Sequence, residues 1–303
     1  MYAIETFTLG KRFRRVRAVS DLNLHVGEGE VYALMGPNGA GKTTLIKLLM
    51  NLLSPSAGRA TMLGFDASRL RGKSLEAIGY VSENQKLPDW MTVGAFLRYL
   101  RPFYPTWDTA LEQQLVRRFE LPPKQKLKHL SRGMRMKAAL TSILAFHPRL
   151  IVLDEPLSGL DPLVRDELME SLLALSGETT VLISSHDLAE IDSFASHVGY
   201  MQDGRLRLSE PMETIRRRFH RVEIRAASDL IPPAIHPAHW LHFAVEGPVA
   251  RWTETAFDAE RTMAHAREIF GNVQVRASAM TLREVFLTLA KTGAAPEAEG
   301  SGQ

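Results

Sequence analysis

The stretch "GPNGAGKTT" at residues 36–44 carries the residue types that a triphosphate needs. Gly36, Gly41, Lys42 and Thr43 fit the spacing G-x-x-x-x-G-K-[ST]. Glycines at such positions leave backbone N–H groups free to face phosphate oxygens without interference from a Cβ. Lys42 brings a point charge to the β- and γ-phosphates, and the Thr43 hydroxyl is a candidate ligand for Mg2+. Pro37, Asn38, Gly39, Ala40 and Thr44 complete the loop, so ATP and Mg2+ are the expected ligands.

A second cluster of chemistry-bearing residues lies far away in sequence. "LIVLDEP" ends an apolar run with two adjacent carboxylates, Asp154 and Glu155. Unpaired charge is expensive to bury, so the pair belongs at a strand end that meets a ligand or solvent. Asp154 is the candidate to hold Mg2+, and Glu155, one residue farther out, is the candidate general base for an attacking water. His186 follows another apolar run, "TVLIS", and open α/β sheets bind ligands beyond the carboxyl ends of their strands. It is a candidate to contact the γ-phosphate and the water, although it and Asp187 equally suit an ordinary helix start. "LSRGM" at 130–134 is ambiguous in the same way. Ser131 is a good N-cap, yet backbone N–H groups at a helix mouth also bind anions.

Positioning these residues requires a particular scaffold. "VYALM" runs as a short strand into the glycine loop, and "KTTLIKLLMNLL" follows with Leu45, Leu48, Leu49 and Leu52 at helical spacing. "LIVL" and "TVLIS" read as buried parallel strands. Residues 2–35 alternate and turn like an antiparallel β layer, with "GEGE" as a turn, and "VGYMQDGRLRL" reads as a hairpin turning at Asp203 and Gly204. Between Pro88 and His147 the pattern is mainly helical, broken at Pro102, Pro105, Pro122 and Pro123. Beyond Phe219, short β-like runs at 221–225, 241–245, 249–253 and 273–277 surround a helix ending at Gly271. A final helix starts at Thr281, where Glu284 three residues on makes a capping box and Met280 and Val285 a candidate staple. The tail at 292–303 lacks the apolar residues to pack and is expected to be disordered.

Composition bounds the function. A chain of 303 residues, 45% hydrophobic and 23% charged, has ample material for a core. A net charge of +3 does not by itself argue for nucleic acid, although arginines bunch at 12–17 and 216–218, as solvated surface or as a face for an anionic membrane or a partner. The absence of cysteine excludes disulfides, thiol chemistry and cysteine-ligated zinc. No signal-like segment opens the sequence, and no apolar run approaches the ~18 residues that span a bilayer. The chain is therefore expected to be soluble, with any membrane crossing left to another chain.

Taken in order and spacing, these motifs resemble the ATP-binding subunits of ABC transporters over roughly residues 1–218. The resemblance implies an α/β P-loop NTPase of ABC type, with a mixed sheet core, an antiparallel β layer and a helical subdomain at about 86–147. A small α+β appendage at 219–291 follows, assigned to dimer contact or regulation. It implies a D-loop at "SGLD", residues 158–161, with Asp161 near nucleotide, and a switch role for His186. Phe13 falls where the family stacks an aromatic on adenine. "LSRGM" stands where the family carries LSGGQ, so that Ser131 and the Gly133 N–H meet the γ-phosphate of a nucleotide held by a second, head-to-tail subunit, identical or related. Arg132 and Met134 depart from that signature. Glu83 replaces the Q-loop glutamine, with Gln85 two residues late, and a carboxylate can ligate Mg2+ as an amide oxygen does. The implied protein is peripheral on the cytoplasmic face of the membrane and powers transport, export by resemblance, through a separate permease that docks on the helical region, whose Trp90, Tyr104 and Trp107 are either an exposed docking groove or plain core. The substrate is not encoded, and no nucleic-acid partner is expected.

Two other readings stay open on sequence. One is a soluble ABC-type ATPase acting on ribosomes or nucleic acid, against which the single nucleotide domain and near-balanced charge argue. The other is a non-hydrolysing regulatory subunit, against which intact Lys42, Asp154, Glu155 and His186 argue. A small-molecule kinase is disfavoured for want of a separate acceptor site.

Overall fold

The computed structural model describes residues 1–83, 85–173, 178–187, 191–192, 194–233 and 235–292. The tail expected to be disordered thus falls, from residue 293 onward, outside the described residues. The chain divides into two compact units, Met1–Ser209 and Glu210–Gln303.

The first unit opens with β1 (Tyr2–Phe13), β2 (Val16–Leu22) and β3 (His25–Gly27), the latter two both antiparallel neighbours of β1. β4 (Val31–Met35) is buried at all five positions, as a strand covered on both faces must be. It runs into the glycine loop and α1 (Lys42–Leu49), whose Leu45, Ile46, Leu48 and Leu49 face the core. β5 (Ala57–Met62) and β6 (Phe65–Asp66) return to the antiparallel sheet, ordered β2-β1-β5-β6. After β7 (Ile78–Ser82) come α2 (Val93–Leu100), α3 (Thr109–Arg118) and α4 (Arg132–Leu144). Each of these helices starts on a side-chain cap. Thr92 accepts from the Ala95 N–H, Asp108 from Ala110 and Leu111, and Ser131 from Met134. β8 (Leu150–Asp154), α5 (Pro162–Leu173), β9 (Thr180–Ser185), β10 (His197–Gln202) and β11 (Arg205–Pro211) complete the series.

The six-stranded sheet runs β11-β10-β4-β9-β8-β7. Strands β10, β4, β9, β8 and β7 are parallel, and β11 folds back beside β10 through the turn at Asp203 and Gly204. Register sets what emerges at the carboxyl edge. Leu34 lies opposite Ser184, Ser184 opposite Asp154, and Asp154 opposite Ser82. Glu83 and Glu155, one residue past that row, and His186, two residues past it and just beyond the end of β9, therefore leave adjacent strands beside the glycine loop.

In the helical region Tyr104 and Trp107 take the core alternative. The Tyr104 ring stacks on buried Phe146 at 3.9 Å. The Trp107 Nε1–H donates to Glu112 at 2.9 Å, and Glu112 also takes two 2.8 Å hydrogen bonds from Arg101. A buried carboxylate must be paired, and that demand draws Trp107 inward. The exposed aromatics of this helical region, among the described residues, are Trp90, at 71%, with Tyr99 and Phe103.

In the second unit, α6 (Met212–Arg218) precedes a sheet ordered β13-β14-β12-β15, formed by β12 (His220–Arg225), β13 (Trp240–Glu246), β14 (Val249–Glu254) and β15 (Gln274–Ala279). Helix α7 (Ala259–Phe270) contributes Ala266 to a core with Val222, Ile224, Trp240, Ala250 and Trp252. Helix α8 (Leu282–Thr292) begins on the capping box, since Glu284 accepts from the Thr281 N–H at 2.9 Å while Thr281 Oγ1 accepts from the Glu284 N–H at 3.3 Å. The division precedes residue 218 because α6 is tied to this unit. The Arg218 guanidinium donates to Glu210 at 2.7 and 2.8 Å and to the Thr255 carbonyl at 2.7 Å. Arg218 is thus largely buried rather than solvated.

Gly36 joins β4 to the phosphate-type loop at φ +151°, and a Cβ there would lie 2.2 Å from the Met201 carbonyl oxygen. That carbonyl is backbone on the neighbouring strand and cannot move aside cheaply. Gly36→Ala should therefore lower unfolding free energy by about 1–3 kcal/mol, read from urea titration of the nucleotide-free chain. Unchanged stability would contradict the close approach.

Candidate active site

A cleft of about 580 Å3 opens at the carboxyl edge of the parallel sheet. Its floor is the loop at 38–44, including Lys42, Thr43 and Thr44. Gly39 and Gly41 have φ of +83° and +106°, conformations that disfavour a side chain. α1 carries no side-chain cap and no acidic residue in its first turn. The free N–H groups and the positive end of the helix dipole are therefore left for an anion.

Glu83, Glu155, Ser158 and His186 line the same cleft. Glu155 is the node. Its Oε1 lies 3.1 Å from Lys42 Nζ, and its Oε2 lies 2.8 Å from His186 Nδ1. A carboxylate only accepts, so Nδ1 carries the proton and donates, leaving Nε2 as the acceptor in neutral imidazole. Lys42 Nζ also donates to the carbonyl of Gly36 at 2.6 Å and to that of Pro37 at 3.4 Å. The Glu155 backbone sits at φ 50°, a strained conformation for a non-glycine residue. Its N–H donates to Ser184 Oγ at 2.9 Å.

Asp154 lies just beneath the cleft lining, buried. Its Oδ1 accepts from Thr43 Oγ1 at 3.1 Å and from Ser184 Oγ at 2.8 Å. Burial holds its carboxyl above the usual carboxylate range, the two hydroxyls counter this, and the neighbouring Glu155 charge adds to it. The Thr43 hydroxyl, the Asp154 carboxylate and Glu83 at the rim form an all-oxygen donor set, which fits Mg2+ completed by phosphate and water. Gln85 is spent elsewhere, accepting from the Ser82 N–H and Oγ at 3.2 Å each.

Other sequence-derived candidates stand apart from this cleft. Phe13 does not line it. Its exposed ring lies 5.1 Å from Lys11 Nζ, and Val16, Arg17 and Ala18, across the β1–β2 turn, line the cleft instead. Ser131, Gly133 and Asp161 do not line it either. Ser131 caps α4, and Asp161 accepts from the Leu163 N–H at 3.0 Å at the start of α5. Of the D-loop residues Ser158, not Asp161, lines the cleft, and Arg17, Asp203 and Gly204 line it with no phosphate-binding signal in the sequence. The hairpin turn was legible, but its place was not. It reaches the loop because β10 pairs with β4, so that the Gly204 N–H donates to the Ala40 carbonyl at 3.0 Å.

The family profile described as "ABC transporter" matches residues 19–158. The chain is 35% identical to the daunorubicin resistance ATP-binding protein DrrA2 of Streptomyces coeruleorubidus, over 67% of this chain and 65% of that protein. It is 32% identical to the bacitracin transport ATP-binding protein BcrA of Enterococcus faecalis, over 68% of each. The matched part makes up 61% and 78% of two further relatives' own lengths. Among solved structures, an ATP-binding subunit of an ABC transporter superposes with a TM-score of 0.65 at 27% identity, covering 71% of this chain and 92% of that one. The chain belongs to the ABC transporter ATP-binding proteins, a family of P-loop ATPases.

The raised Asp154 carboxyl has a thermodynamic consequence. Such a group contributes its full stability below the ordinary carboxylate pKa and loses it as pH rises through the raised value. Asp154→Asn should therefore raise the thermal midpoint of the nucleotide-free chain at neutral pH, with the gap closing in acid, while weakening Mg2+-dependent nucleotide binding. Thermal melts over a pH series check this, and a lower midpoint at neutral pH would contradict it.

Proposed function

We propose that this chain binds Mg·ATP in the cleft above α1, closes head to tail on a second ATP-binding subunit, and hydrolyses ATP to drive export through a separate permease. The observation that carries the reading is the Lys42–Glu155–His186 chain at the mouth of an uncapped helix.

Backbone N–H groups of the 38–44 loop, apart from that of Ala40, which donates to the Pro37 carbonyl, cradle the phosphates, and Lys42 turns from Glu155 to the β- and γ-phosphates as a stronger anionic partner. Oε1 of Glu155 is then free to take a proton from water. The resulting hydroxide attacks the γ-phosphorus, the bond to the β–γ bridging oxygen breaks, and ADP and inorganic phosphate leave. His186 holds Oε2 and orients the carboxylate. Asp154, Thr43 and Glu83 are the residues to hold Mg2+, which when bound neutralises charge on the β- and γ-phosphates. Asp161, at the start of α5, is proposed to face nucleotide from the D-loop position.

The two-subunit arrangement is supported by Ser131 and Gly133 lying off this chain's own cleft, so that any nucleotide they meet would be one held by a partner. Phe13 is proposed as the adenine contact, at the β1–β2 turn whose Val16, Arg17 and Ala18 line the cleft. Export is supported by DrrA2 and BcrA, whose names state daunorubicin resistance and bacitracin transport. A separate permease is supported by the finding that, among the described residues, no helix is long and apolar enough to cross a membrane. The chain is proposed to sit on the cytoplasmic face, docking through exposed Trp90, Tyr99 and Phe103. The unit after 209 is proposed to serve dimer contact or regulation.

Glu155→Gln should keep nucleotide binding, lower turnover by about 10²–10⁴, and form an ATP-dependent dimer in size-exclusion chromatography. Normal turnover by that variant would remove the general base from the mechanism. The double substitution Trp90→Ala with Tyr99→Ala should leave nucleotide affinity within about twofold, because neither lines the cleft. It should also abolish recovery of the chain with a co-expressed permease; full recovery would place docking elsewhere.

A further inference from the structure

The two residues that depart from the family pattern near the cleft, Glu83 and Arg132, meet in space. Arg132 Nη2 lies 3.5 Å from Glu83 Oε1. A Cβ built on Gly159 would lie 2.8 Å from Arg132 Nη1 and 3.3 Å from its Cζ, so the guanidinium occupies the space in front of that glycine. Gly159 adjoins Ser158, which lines the cleft with Glu83, whereas Arg132 does not line it. One side chain therefore braces, from behind, two segments that face the cleft.

Helix stability does not account for this arginine. Arg132 is the first residue of α4, with no acidic residue in the first turn. A cation there opposes the helix dipole. Its reason lies in the contact with Glu83. A carboxylate at the rim of a triphosphate site repels the incoming anion, and a guanidinium beside it offsets that repulsion.

We infer that Arg132 is a positioning residue that neutralises and orients Glu83 at the rim of the cleft, and so sets the affinity for nucleotide. The inference rests on the reading of the cleft as the ATP site. It extends that reading to a charge pair linking the loop after β7 to the turn that starts α4. Glu83 faces this chain's own nucleotide, whereas the α4 mouth is proposed to face the partner's. The pair thus gives one site a route to sense the other.

The test is a double-mutant cycle on the full chain, read as the dissociation constant of a fluorescent ATP analogue with Mg2+ and, separately, with EDTA. Arg132→Gly should weaken binding about twofold to fivefold at low salt, the range of an exposed ion pair, and the loss should fade as salt screens the charges. The same substitution in a Glu83→Gln background should have no effect, because no charge remains to offset. Arg132→Lys, which keeps the charge and the helix propensity, should bind as the parent does. Equal losses in the parent and Glu83→Gln backgrounds, no loss in either, or a loss for Arg132→Lys equal to that for Arg132→Gly would overturn the inference. Failure of the parent chain to bind the analogue at all would instead sink the ATP-site reading, which keeps the two failures distinct. Thermal midpoints of all variants verify that each is folded.

Discussion

The parallel register of β7, β8, β9 and β4 is the constraint on which the site depends. Because Ser82, Asp154, Ser184 and Leu34 lie in one row, the next residues of all four strands reach the same edge together. A shift of one residue in any strand would turn its last side chain to the other face. The buried apolar runs hold the register: β4, β8 and β9 have no exposed position, so a slip would leave polar ends inside the core. Ser184 ties the row across strands, since its hydroxyl donates to Asp154 and accepts from the Glu155 N–H.

Electrostatics then decides how the edge behaves without nucleotide. Lys42 and Glu155 are both largely withdrawn from water, and each satisfies the other. His186 completes the shell around the carboxylate. The Lys42–Glu155 pair thus stays matched until a stronger anion competes for the lysine. The two helix mouths nearby are handled differently. α1 is left uncapped above a glycine-rich floor, whereas α4 is capped by Ser131 and bears a cation at its first position. One is prepared to take an anion from this chain's cleft. The other has its local N–H satisfied and its charge paired with Glu83.

Local signals were legible where chemistry and chain geometry coincide. The glycine spacing at 36–44 has a reason in φ values and close approaches that only glycine satisfies, and apolar runs of four or five residues mark buried strands. The capping box at Thr281 and Glu284 is read from four adjacent residues and found in the hydrogen bonds. Side-chain exposure was not legible. Tyr104 and Trp107 carry the same residue types as exposed Tyr99 and Trp90, and only Phe146 and the buried Glu112, brought from other parts of the chain, separate the two groups. Arg218 likewise looks like surface until Glu210 and the Thr255 carbonyl are seen around it.

By itself the sequence determined the residue types that bind phosphate, the strands that carry them, and the family to which the chain belongs. These depend on periods of two and 3.6 residues and on the conformational range of single residues, all local properties. Only the tertiary structure decided that Asp203 and Gly204 close one side of the cleft, that Lys42 rests on Glu155, and that Glu83 and Arg132 pair across 49 positions of sequence. Those contacts arise from strand order and packing, which bring together side chains that no local pattern relates.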